Sequence, residues 1–220
     1  MATPSTIIIT GGTGSLGSSL ARAIETSYPG RFHLLLTCRN TSDAHAESIS
    51  SSLKSQNAQF SLEELDLSDL ENVKLFAERV KAKISAGEIP GLVGGGIVNS
   101  AAYNTFLKGK KGKVIGGKER DVMYTINCLA PALLVRGLVE VMVEGAGATV
   151  VNVGSVAYEI GRVDYFESQD GEEGEVKEGE KLAFMEGMKR YGSSKALSLM
   201  MGYAFQRRLY AVSCPLDFSE

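Results

Sequence analysis

The sequence predicts an α/β domain in which helices cover both faces of a doubly wound parallel sheet. Three observations carry this. Short, nearly continuous runs of β-branched and aliphatic residues recur along the chain, segments of helical period separate them, and glycines crowd the junction between the first run and the helix after it. Strands covered on both faces lose the alternation of a half-exposed strand. Strand–helix alternation repeated along a chain then implies parallel strands joined by crossovers.

Six runs read as strands: Thr6–Thr10 (TIIIT), Phe32–Cys38 (FHLLLTC), the more polar Phe60–Asp66 (FSLEELD), Gly95–Asn99 (GGIVN), Ala148–Val153 (ATVVNV) and Tyr210–Cys214 (YAVSC). After Asp66, Ser68 and Glu71 have the spacing of a capping box before LENVKLFAERVKAKI. A second helix is expected from Arg120 to Glu144, where Pro131 either kinks it or marks its first turn. A third is expected from Lys189 to Leu209, with Leu197, Met200, Met201, Ala204 and Phe205 at helical spacing. The 220 residues suit a single domain spanning 1–220, and no internal repeat is visible.

Two segments stand out by charge. Lys108–Lys118 is a basic loop with five lysines, four glycines and no acid. Tyr165–Glu180 holds seven acids against one lysine, within an acidic insertion spanning 158–188. Both are expected beyond the carboxyl ends of strands, where open α/β sheets bind ligands. Opposite charge would let them form a lid over that edge.

Composition narrows the function classes. A net charge of −3 gives no broad basic face, so no nucleic-acid partner is expected. No apolar run approaches the ~18 residues of a membrane span, and the start MATPSTIIITGG lacks a basic signal-peptide flank. Cys38, Cys128 and Cys214 are odd in number and sit in apolar segments, which suits buried thiols in a reducing, cytoplasmic setting. With only His33 and His45, no metal centre is expected.

Chemistry begins at TIIITGGTGSLGSSLARAI. Gly12, Gly14 and Gly17 have the G-x-G-x-x-G spacing between a strand and a helix. Glycine permits the tight turn and close approach of backbone to a pyrophosphate, and the helix amino end offers free N–H groups. Thr10, Gly11, Gly12, Thr13, Gly14, Ser15, Leu16 and Gly17 are therefore the expected phosphate-binding turn of a Rossmann fold. An NAD-binding turn wants a carboxylate at the end of the second strand, for the ribose 2′-hydroxyl. Cys38 stands there, followed by Arg39. A neutral residue and then a guanidinium suit a 2′-phosphate, so the expected cofactor is NADP(H).

Near the other end, Tyr191 precedes Lys195 by four residues, one helical turn, in YGSSK. A phenol with its ordinary pKa of ~10 is a poor proton carrier at neutral pH, and a cation one turn away favours its charged form. The motifs TGGTGSLG, DLSD, NSAA, the asparagine inside TINCLAPALL, VVNVGS and YGSSK occur in this order. With them the chain resembles a short-chain dehydrogenase/reductase, of the carbonyl and retinol reductase kind, from about Thr6 to Pro215. The resemblance implies that Asp66, with Leu67, borders the adenine and that Asn99, Ser100 and Ala101 support the nicotinamide half. It implies a catalytic tetrad of Asn127, Ser155, Tyr191 and Lys195, with Asn127 holding a water that links Lys195 to solvent. Tyr191 would pass a proton to or from a carbonyl/alcohol substrate, Ser155 would hydrogen-bond the oxygen, and Tyr191 and Lys195 would hold the nicotinamide ribose.

There are departures. NSAA stands where relatives usually read Asn-Asn-Ala-Gly, and VGS where a serine pair is common. The T-G-x-x-G-x-x-G spacing is nearer the branch that includes epimerases and dehydratases. From Ser155 to Tyr191 is 36 residues, where many members have about a dozen, and the acidic insertion fills the gap. After YAVSCP the chain reads Leu216 where relatives usually have glycine, and it stops at Glu220. The substrate loop and usual last strand are therefore expected to be missing. The sixth strand would then be an open sheet edge, favouring a homo-oligomer. The reading that follows is an NADP(H)-dependent oxidoreductase. The alternatives are a shortened nucleotide-binding relic with a binding or regulatory role, and an isomerase or dehydratase on the same fold.

Overall fold

The computed structural model describes residues 4–104, 111–112, 120–143, 147–166 and 180–213. In chain order these form β1 (Ser5–Thr10), α1 (Ser15–Ser27), β2 (Phe32–Cys38), α2 (Ala44–Ser55), β3 (Gln59–Glu64), α3 (Leu70–Ser85) and β4 (Gly96–Asn99). There follow a two-stranded hairpin of β5 (Lys111–Gly112) and β6 (Arg120–Asp121), then α4 (Val122–Tyr124), a π-helical turn (Thr125–Leu129) and α5 (Ala130–Val143). The described chain continues with β7 (Thr149–Asn152), a 3-10 turn (Val156–Ile160) and α6 (Glu180–Ser213).

Five strands make one parallel sheet in the order β3-β2-β1-β4-β7. The strand order reverses between β1 and β4. Open α/β sheets bind ligands at the carboxyl ends of the strands beside such a switch point, and here Thr10 and Asn99 are the register partners at that place. The central strands β1, β2 and β4 are buried on both faces, as their unbroken apolar runs require, while β3 and β7 are more exposed. Ile8, Leu35 and Ile97 point into one core with Val73, Phe76 and Val80 of α3 and Leu134 and Leu138 of α5. Ile9, Leu34, Leu36 and Val98 point into a second, with Ala21 of α1 and Ile49 and Leu53 of α2.

Three expectations need correction. The amino end of α3 is capped by Asp69, not by Ser68. Asp69 Oδ1 accepts from the N–H groups of Glu71 and Asn72 at 2.9 and 3.2 Å, while the Ser68 hydroxyl turns back to Asp66 Oδ1 at 2.7 Å. A carboxylate one residue nearer the helix displaces the hydroxyl from the cap. Secondly, Tyr210–Cys214 is not a sixth strand: residues through Ser213 continue α6, and Cys214 lies outside the described residues. A five-residue apolar run does not distinguish strand from helix, and no glycine or proline interrupts MMGYAFQRRLYAVS after Gly202. Consequently the outer strand of the described sheet is β7. Thirdly, Val122–Met142 is long and apolar enough to cross a membrane by length and composition. Here Leu134, Val135, Leu138 and Met142 are buried in the core, so packing accounts for its apolar character. Most of the basic loop 108–118 and residues 167–179 of the acidic insertion lie outside the described residues, and with them the lid.

Candidate active site

The glycine turn is shaped by contact as much as by conformation. Gly11 has φ +65°, in the left-handed region that favours glycine. A β-carbon on Gly12 would lie 2.6 Å from Leu36 Cβ, and one on Gly17 would lie 2.4 Å from Gly11 O. The turn therefore seats on β2 and folds back on itself. Gly14 caps α1 with no side chain reaching the first-turn amides, and Gly14, Ser15 and Leu16 are exposed. Unclaimed N–H groups and an open face fit a bound phosphate.

At the ends of β2 and β3, Leu65 N–H bonds Cys38 O at 2.8 Å, which sets Arg39 and Asp66 on neighbouring strand ends. Cys38 is buried, burial pushes its thiol up from the ordinary value, and its Sγ bonds Asn40 O at 3.3 Å. Arg39 is exposed and makes no ion pair among the described residues. Asp66 Oδ1 accepts from the Ser68 N–H and hydroxyl at 2.9 and 2.7 Å. The Leu67 side chain belongs to the core.

Beyond β4 the NSAA segment is strapped across the crevice. Ser100 Oγ donates to Thr10 O at 2.5 Å and Ala101 N–H to Thr10 Oγ1 at 3.2 Å. Asn99 Nδ2 donates to Asn152 Oδ1 at 2.8 Å, and Asn99 Oδ1 is buried with no protein partner. The far end of the strap is held by Asn127. Its Oδ1 accepts from Tyr103 N–H at 2.7 Å, and its Nδ2 donates to Tyr103 O and Ser194 Oγ at 2.9 and 3.0 Å. Asn127 can do this because it lies on the π turn, where Ala130 N–H reaches back five residues to Thr125 O. Pro131, next in the chain, has no N–H to continue the ladder, and the register changes just ahead of it.

The last two candidates meet through small residues. Ser155 leaves β7 and caps the 3-10 turn, its Oγ accepting from Ala157 N–H at 3.2 Å. That turn abuts α6 at Gly192, where an added β-carbon would stand 2.1 Å from Ala157 O. Tyr191, one residue before, is half-buried. Lys195 is 5% exposed, and its Nζ lies 5.8 Å from the Tyr191 ring centre and donates to Val153 O at 2.8 Å. Burial lowers the lysine pKa from its ordinary value. Ser155, Tyr191, Lys195 and Asn127 are thus gathered at the carboxyl ends of β4 and β7, whereas Arg39 and Asp66 stand across the sheet.

Several neighbours were not legible in the sequence. Ser193 Oγ accepts from Arg162 N–H at 2.8 Å, and Ser194 Oγ donates to Tyr191 O at 2.7 Å. Arg190 pairs with Asp121, and Tyr165 hydroxyl bonds Glu186 Oε1 at 2.5 Å. The run of small residues in YGSSK was the one available signal, since small side chains allow close approach of helix and turn.

Comparison with known proteins places this geometry. The chain is 27% identical to Retinol dehydrogenase 12 of Mus musculus over 203 residues, covering 92% of this chain and 56% of that protein. It is 26% identical to the Dehydrogenase/reductase SDR family member FEY of Arabidopsis thaliana over 163 residues, covering 72% and 40%. The chain thus spans about half the length of the curated relatives it matches. Among solved structures it superposes on NADPH-bound carbonyl reductase from chicken fatty liver with TM-score 0.62 and 17% identity, over 95% of this chain and 75% of that one. A 3-oxoacyl-[acyl-carrier protein] reductase from Brucella melitensis gives TM-score 0.63 and 17% identity, over 96% and 72%. The short chain dehydrogenase profile matches residues 5–166, from β1 to the turn after Ser155, and with most of its length inside that match the chain belongs to the short-chain dehydrogenase family.

Proposed function

We propose that this protein is an NADP(H)-dependent oxidoreductase acting on a carbonyl/alcohol pair, with Tyr191 as the proton carrier. The observation that carries the reading is the pairing of Tyr191 with a buried Lys195 at the crevice, Nζ 5.8 Å from the ring centre. Support comes also from relatives named as retinol dehydrogenases and from a carbonyl reductase described as NADPH-bound.

The residues present fit the cofactor. The uncapped start of α1 would take the pyrophosphate, Arg39 a 2′-phosphate, and Asp66 the adenine side. Asn99, with its buried unpartnered Oδ1, and the strap of Ser100 and Ala101 would face the nicotinamide half. The nicotinamide, when bound, supplies or accepts the hydride. Lys195 presents positive charge beside the Tyr191 ring and would hold the ribose hydroxyls. Tyr191 gives its proton to the substrate oxygen in reduction, or takes one from the alcohol in oxidation. Ser155 donates a hydrogen bond to that oxygen as negative charge develops on it. Asn127 spends its side chain on the strap and on Ser194, so its contribution is to hold the floor under Tyr191.

The test is NADPH and NADH oxidation against aldehydes and ketones that include 4-nitrobenzaldehyde and retinal, with Tyr191→Phe as reference. Turnover faster with NADPH and reduced at least ~100-fold by the substitution is expected. Turnover that survives Tyr191→Phe would remove the tyrosine from the mechanism, and NADPH binding without turnover would make the protein a nucleotide-binding partner.

A further inference from the structure

Beside the candidate site is a charged cluster for which the proposed chemistry has no use. Arg190, the residue before Tyr191, is buried, and its guanidinium pairs with Asp121 Oδ2. Side-chain exposures are 8% and 21%, so water does little to screen the pair. Asp121 is a junction. It ends the β5–β6 hairpin, its Oδ1 accepts from Tyr124 N–H at 3.0 Å to cap α4, and its backbone carbonyl accepts from Thr125 Oγ1 at 2.9 Å. Those bonds fix the start of the π turn that carries Asn127. On the other side of Tyr191, Ser194 ties its backbone carbonyl to Asn127 Nδ2. The two helices are therefore joined at two points, Asp121 to Arg190 and Asn127 to Ser194, and Tyr191 lies on the turn between them.

We propose that Arg190 and Asp121 form a buried ionic clamp that positions Tyr191 against the π-helical turn carrying Asn127. The inference rests on the reading of Tyr191 as the proton carrier. A buried ion pair seldom stabilises a fold more than an apolar pair of the same size, whereas its fixed geometry specifies how two elements meet. The forked guanidinium suits that task better than an ammonium. Arg190 and Asp121 act through Tyr191 and are positioning residues. Removing either partner leaves the other charge without its counter-ion at the junction of the two helices.

Beside the pair lies Tyr165, whose pKa burial and the Glu186 carboxylate raise and on which Arg190 and Asp121 act with opposite sign; Glu186, Lys189 and Lys195 share α6 with Arg190. Glu159 lies on the 3-10 turn, and Arg162, Asp164 and Tyr165 follow it. Arg162 and Asp164 pair with each other at 2.7 Å, and Tyr165 bonds Glu186. None of these takes the place of Asp121 opposite Arg190.

The experiment compares the full chain with Asp121→Asn, Arg190→Gln, the double variant and Arg190→Lys. Near-ultraviolet circular dichroism, each chain read against the same chain bearing Tyr191→Phe, reports how firmly the Tyr191 ring is held, and NADPH turnover is measured in parallel. Asp121→Asn, Arg190→Gln and the double variant are each expected to lose most of the Tyr191 signal and to lower kcat about 10- to 100-fold with KM for NADPH little changed. Arg190→Lys keeps the charge without the fork, so its kcat falls as well, which separates geometry from charge. An unchanged Tyr191 signal in both single variants, or wild-type kcat in the double variant, would overturn the clamp. Loss of the Tyr191 mechanism would show instead as full turnover in Tyr191→Phe, and the dichroism reads the clamp in either case.

Discussion

Lys195 is a residue whose place in the fold works against stability. It is buried, its amine donates to Val153 O, and desolvation lowers its pKa in the folded chain. The unfolded chain then binds the extra proton over the window between the lowered folded value and the ordinary value of about 10.4. Stability accordingly rises with pH through that window, and below it the burial penalty is present in full. Urea unfolding of wild type and Lys195→Met across this range is expected to show wild type gaining on the variant as pH rises. A constant difference would mean the amine is not strained by burial. The residue-scale facts read from sequence were those written in adjacent letters: the glycine turn and the Tyr–Lys pair. Arg190 and Asp121 are 69 positions apart, and no local pattern connects them.

At the scale of elements, the irregular turns do the positioning. A regular α-helix through Thr125–Leu129 would give Asn127 a different direction from the one the π turn provides. Asn127→Leu removes three hydrogen bonds and strands the N–H and C=O of Tyr103. Each buried group left unpaired costs about 1–3 kcal/mol, so a loss above ~2 kcal/mol in urea unfolding is expected. Asn127→Asp, which keeps the acceptor for Tyr103 N–H, should fall between. The three central strands were legible because apolar runs buried on two faces leave a dense signature, and β3 and β7 because they continue the alternation with helices. The π turn was not, since it arises from competition between Pro131 and the packing of the segment around it. The Ser68 cap failed for a related reason: Ser68 and Asp69 are both acceptable caps, and the three-dimensional path of the chain chose the acid.

For the whole molecule, the described sheet ends at β7. Thr149, Val151 and Asn152 are exposed, and a cleft of about 800 Å³ runs between this strand and the helices α5 and α6, lined by Val135, Val139, Val150, Leu199 and Phe205. An open strand with apolar surroundings invites pairing with a second copy. Val151→Lys places a charge on that strand and is expected to reduce self-association in sedimentation or light scattering, with NADPH affinity unchanged. Association unaltered by the charge would exclude this edge. The expected sixth strand at Tyr210–Cys214 would have covered it. Its residues through Ser213 are helical instead, which the short apolar run could not have revealed.

α6 is a single helix of 34 residues, roughly 50 Å at 1.5 Å per residue. Tyr191 and Lys195 ride on its first half, and the helix continues without a break to Ser213. Whatever grips or shifts the far end therefore acts as a torque on Tyr191, with the glycine contact at Gly192 as the fulcrum.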